Sequence, residues 1–172
     1  MATLKLKSFR CIEETDETGS DSPYFVIFVG RPGATPSSDV VTIREVQWDN
    51  EVDTGDFSTT NSTVAGNVGT NAVVLVALME EDDGPNVIGS GMLAHIKQVM
   101  NVWFNPLAAS NLTPQQIAFQ ILPTFRMMLD VFNGNDEIVS VKSLRVTTLS
   151  GNLAPLSLNG DGGRYQVQFS MN

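Results

Sequence analysis

The sequence predicts a mainly β fold: an antiparallel β-sandwich carrying a two- to three-helix insertion at about residues 90–133. Three observations predict it. Both ends of the chain alternate apolar and polar residues with the period of a strand. Ala72 to Met79 (AVVLVALM) is apolar throughout, as in a central strand covered on both faces. From Gly91 to Phe132 the apolar residues recur instead at helical spacing.

In chain order, Thr3 to Ile12 (TLKLKSFRCI) alternates and slips phase once near Ser8, where a bulge is expected. Pro23 to Gly30 (PYFVIFVG) is β-branched and aromatic, a second strand. RPGATPSSD is a loop by its Pro, Gly and Ser content. Val40 to Trp48 alternates again, with Val41, Ile43 and Val46 near one another. Residues 49 to 71 are polar, with one short strand expected around Phe57 and another near Thr63 to Ala65.

Met92, Ile96, Val99, Met100 and Trp103 form a helical stripe, so Gly91 to Phe104 reads as a helix that Asn105-Pro106 interrupts. Thr113-Pro-Gln-Gln116 is a helix start, with Thr at the cap and Gln at the third position. The stripe of Ile117, Ile121, Phe125, Met128, Leu129 and Phe132 follows, and Pro123 within it is expected to kink or divide the helix. Glu137 to Thr148 returns to strand period with a phase slip. Arg164 to Met171 alternates, with Tyr165, Val167, Phe169 and Met171 on one face.

At 172 residues the chain is expected to form one domain over 1–172. No run approaches the roughly 20 apolar residues of a membrane span, and the N-terminus lacks the pattern of a Sec-type signal peptide. The expectation is a cytoplasmic protein, or one exported without such a signal. A net charge of −9 argues against nucleic acid as a partner, because phosphate binding needs a basic face. Cys11 is the single cysteine and reads as a buried thiol. One Cys and one His (His95, expected at the surface) cannot close a zinc site. No Walker, dinucleotide or hydrolase-elbow pattern occurs, and no enzyme activity is expected. Trp48 and Trp103 are expected to be packed; an exposed patch of Trp103 with Met100, Val102 and Phe104 is the alternative.

The carboxylates are not evenly spread. Twelve of the nineteen fall in four predicted turns: Glu13, Glu14, Asp16, Glu17 and Asp21; Glu80 to Asp83; Asp136 and Glu137; and Asp161. Acidic turns are common for reasons of turn chemistry and solubility. A hard cation such as Ca²⁺ is the functional reading, since it takes six to eight oxygen ligands, and like charges packed together without it repel.

DETGSDSPYFVIF resembles the first calcium-loop region of C2 domains, D-x-x-G-x-S-D-P-Y followed by a strand. Asp16, Gly19, Pro23 and Tyr24 match in register. The second aspartate of that loop falls at Ser22, a departure, with Asp21 adjacent. VALMEEDDGPNVIGSG is similar to the third loop, D-x-D then D-x-I-G, with Glu80 and Asp82 in the first pair and Asn86 to Gly89 in the closing element. GNDEIVS, with Asp136 and Ile138, is the alternative closing element and makes the helices an insertion in that loop.

The resemblance implies a divergent C2-like sandwich whose acidic loops meet at one pole. It implies a calcium-responsive binding module, with Glu14, Asp16, Asp21, Glu80, Asp82 and Asp136 as metal ligands. The implied partner is a membrane surface or another protein, although no lysine cluster of the headgroup-binding type stands out. The other reading is a non-enzymatic structural or interaction sandwich, such as an assembly subunit or toxin component, with no functional metal. Oligomeric state is left open by the sequence.

Overall fold

In the computed structural model, residues 1–14, 22–34, 40–47, 52–80, 88–132, 137–160 and 162–172 are described. β1 (Ala2–Glu13) buries Leu4, Leu6, Phe9 and Cys11. The jump from an even to an odd series is a bulge: register with both neighbouring strands shifts between Leu6 and Ser8. The expected phase slip is therefore real, and Lys7 is the extra residue that restores the inward face.

β1 pairs antiparallel with β4 (Phe57–Val68) on one side and β9 (Gly163–Met171) on the other. β7 (Gly151–Asn152) and β8 (Leu156–Gly160) both pair with β9, completing a five-stranded sheet. The second sheet runs β3 (Val41–Gln47), β2 (Pro23–Gly30), β5 (Val73–Glu80), β6 (Glu137–Leu144), all neighbours antiparallel. The two sheets form a sandwich.

β2 and β5 are buried at every position. Phe25, Ile27 and Val29, with Val74, Val76 and Leu78, face the five-stranded sheet. Tyr24, Val26 and Phe28, with Leu75, Ala77 and Met79, face two helices on the opposite side. An apolar run without alternation is what such double coverage demands.

Those helices are α1 (Ser90–Ala108) and α2 (Pro114–Phe132). α2 starts on a reciprocal capping box: the Gln116 N–H donates to Thr113 Oγ1 at 3.3 Å, and the Thr113 N–H donates to Gln116 Oε1 at 2.9 Å. α1 presses Phe104 against Phe28 and onto Gly30, where a Cβ would lie 2.6 Å from the ring Cζ.

Several sequence expectations need correction. Pro106 does not interrupt α1, which runs two residues further; its missing N–H falls in the last turn, where little helix remains to break. Pro123 does not divide α2. Burying Ile117, Ile121, Phe125 and Leu129, at roughly 1.5–3 kcal/mol each, outweighs the roughly 3 kcal/mol of a mid-helix proline.

The two short strands expected between 49 and 71 are a single strand, β4, whose polar residues pair with β1 along its whole length. Pairing partner, not apolar content, sustains it. Val41 and Val46 lie on opposite faces of β3, one toward the helices and one toward the sandwich core. β7 and β8 have no counterpart in the sequence reading.

Candidate metal pole

Register decides which chain ends meet. Pro23 stands opposite Glu80, and Glu80 opposite Glu137. Tyr24 stands opposite Gln47. On the other sheet Arg10 pairs with Phe57, Glu13 with Arg164, and Gly160 with Gly163. The chain leaves β1 at Glu13 and enters β2 at Pro23, so these ends belong to the same pole of the sandwich. Among the described residues, Glu13, Glu14, Glu80 and Glu137 lie at these strand ends.

Of the two candidate ligands among the described residues, Glu80 is the more confined. It ends β5 with 3% of its surface exposed. Its position continues the inward series Val74, Val76, Leu78. Across the strand pair lies Glu137, brought into register by a bulge: Leu78 pairs with Ser140 but Met79 with Ile138, which leaves Val139 extra on β6. Like charges opposite one another in a sheet are unfavourable without compensation. The bulge also accounts for the phase slip in the sequence of this strand.

Glu14 caps the end of β1, and its N–H donates to Thr54 Oγ1 at 3.1 Å. The turn containing Thr54 is docked on β1 through Cys11, whose N–H donates to Asp56 O (3.0 Å) and whose O accepts from Gly55 N–H (3.1 Å). Asp53 and Asp56 therefore sit at the same pole. Neither stands out in the sequence, where 49 to 71 is a polar stretch. The spacing of carboxylates in DNEVDTGD was the available signal.

Asp16, Asp21, Asp82 and Asp136 lie outside the described residues. Among the described residues, no three His, Cys, Asp or Glu side chains gather as a metal-binding group.

The remaining reactive groups are far from one another in the architecture. Cys11 is sealed in the sandwich core, as the sequence predicts. His95 is exposed on α1, edge-on to Phe132 with ring centroids 5.3 Å apart. A full sheet separates the two. No described helix is long and apolar enough to cross a membrane.

The aromatic expectation fails for one residue: Trp103 is 55% exposed, with Val102 at 69%. The buried stripe of α1 is Ile96, Met100 and Phe104, so the i, i+4 row runs through Phe104 and turns Trp103 outward. Trp48 lies outside the described residues.

The fold is a C2-like β-sandwich that carries two helices. Among solved structures, the chain is similar to one described as the structure of a C2 domain, with a TM-score of 0.51 and 10% identity, covering 100% of this chain and 99% of that one. No family model matches the sequence, and no curated protein is significantly similar to it.

Proposed function

We propose that the chain is a non-catalytic binding module whose acidic pole takes up calcium and then docks on a membrane surface or a protein partner. The observation that carries this reading is the Glu80–Glu137 register pair at the acidic pole, with Glu80 almost wholly buried. A carboxylate so confined beside another is the donor chemistry a hard cation uses. Glu80 and Glu14 would contribute from the strand ends, and Asp16, Asp21, Asp82 and Asp136 from the connections. The bound ion supplies positive charge and loop order, turning a repulsive end into an attractive one.

Thermal melting in EGTA and in millimolar calcium tests this reading. At calcium 100-fold above its dissociation constant, linkage stabilises the fold by about 2.7 kcal/mol. For a domain of this size that raises the midpoint by roughly 5–10 °C. An unchanged midpoint removes the metal from the proposal. If the midpoint rises, flotation with liposomes separates membrane docking from protein binding.

A second reading, an interaction or assembly protein without functional metal, is favoured by the outer surface of the helices. Phe119 is 82% exposed, Met127 56% and Val131 65%. With Pro123 they recur every four residues along α2, an apolar row of the kind that marks contact surfaces.

A further inference from the structure

Both helices pack on the four-stranded sheet, so the outer face of the five-stranded sheet bears no second layer among the described residues. In a chain of net charge −9, this face is basic. Because the bulge falls at Lys7, the residues Lys5, Lys7, Ser8 and Arg10 all occupy the solvent side of β1, opposite the buried Leu4, Leu6, Phe9 and Cys11. The cations span roughly 15 Å along the strand at its usual rise. Of the described carboxylates near this face, Glu13 pairs with Arg164 at 3.6 Å, and Asp56 Oδ2 accepts from the Asp53 N–H at 3.0 Å.

At one end of this row lies an open cleft of about 270 Å³ formed by Ser8, Arg10, Phe57, Pro155, Gln166 and Gln168. Arg10 lies over the Phe57 ring, 5.9 Å from its centroid, and 59% of Phe57 is exposed. Gln168 is fixed by two bonds: its Nε2 donates to Leu153 O at 2.5 Å and to Phe169 O at 2.9 Å. With two carbonyls around the nitrogen, the amide orientation is determined. The atom it leaves for a ligand is Oε1, an acceptor.

We propose that this face binds an acidic polysaccharide, a linear glycan bearing sulfate or carboxylate groups, laid along β1 with one sugar in the cleft. The row of cations meets repeated anionic groups, and the Arg10 fork matches a sulfate or carboxylate. The Phe57 ring offers an apolar surface to the carbon face of a sugar. The Gln168 acceptor can take a hydrogen bond from a hydroxyl, a donor that a saccharide has and a bare sulfate or fully ionised phosphate lacks. The cleft is slightly smaller than the roughly 300–1,000 Å³ of an enclosed small-molecule site, which suits one unit of a longer ligand.

The test is calorimetric titration at low salt in EGTA, so that the outcome is independent of the metal reading. The probes are a heparin-derived oligosaccharide, a neutral cellulose-derived oligosaccharide, inorganic sulfate, and phosphatidylcholine vesicles with and without phosphatidylserine. The expected result is binding of the heparin oligosaccharide alone, weakened by added salt and reduced about tenfold in Arg10→Gln and in Phe57→Ala. Both side chains are exposed, so both variants are expected to melt like the parent. No heparin binding, unchanged affinity in both variants, or binding of sulfate or anionic vesicles as strong as that of the oligosaccharide overturns the proposal.

Discussion

Glu80, the last residue of β5, stands directly opposite Glu137, the first of β6, and Glu80 is only 3% exposed. Two carboxylates in that relation cost stability unless something of opposite sign is shared between them. The substitution Glu80→Gln keeps the shape and removes the charge. In calcium, the metal-induced rise is expected to shrink by more than half. A full calcium response in Glu80→Gln takes this residue out of the ligand set.

The sandwich was legible because its strands obey simple rules. β1 and β9 alternate, while β2 and β5 do not, and each pattern reports how many faces are covered. The capping box at Thr113 was readable for a similar reason: it is a local motif with its partner three residues away. What escaped was set by distant partners. β4 has the polar sequence of a loop and is a strand because β1 holds it in register. Asp53 and Asp56 looked unremarkable until the turn around them docked on Cys11. At the candidate site, strand order brings the strand ends bearing Glu14 and Glu80 to one pole, while the other four proposed ligands lie outside the described residues.

Adjacent residues of α1 provide a sharper test of the helical phase. Phe104 is fully buried against Phe28 and Gly30, whereas Trp103 is 55% exposed. Phe104→Ala is expected to cost about 3–5 kcal/mol, since it removes a ring from a packed interface and leaves a cavity. Trp103→Ala is expected to stay within about 0.5 kcal/mol of the parent. Urea unfolding of both variants measures this. Equal losses would mean that Trp103 is packed.

The start of α2 is open to a similar measurement. Thr113 and Gln116 satisfy each other's backbone N–H groups. Thr113→Ala removes one half of the box and is expected to destabilise the fold by about 1 kcal/mol. Thr113→Ser retains the hydroxyl and is expected to retain most of that stability. If Ser and Ala behave alike in denaturant melts, the hydroxyl bond contributes nothing.

Gly160, at the end of β8, packs directly on the backbone of β6. A Cβ built there would collide with the carbonyl oxygen of Val139, the extra residue of the β6 bulge. A backbone atom cannot swing aside as a side chain can, so the collision must be relieved by separating β8 from β6. The Lys142 Nζ bond to Ser157 O, 2.7 Å long, also ties these two strands and would be strained by the same movement. Gly160→Ala is therefore expected to destabilise by about 1–3 kcal/mol. Its effect should extend to the candidate metal pole, because the displaced bulge is what aligns Glu137 with Glu80. Lys142→Met removes the tie without moving the bulge, so it is expected to lower stability while leaving the calcium-induced rise in melting midpoint intact. A Gly160→Ala protein that melts like the parent would show that β8 does not press on the bulge.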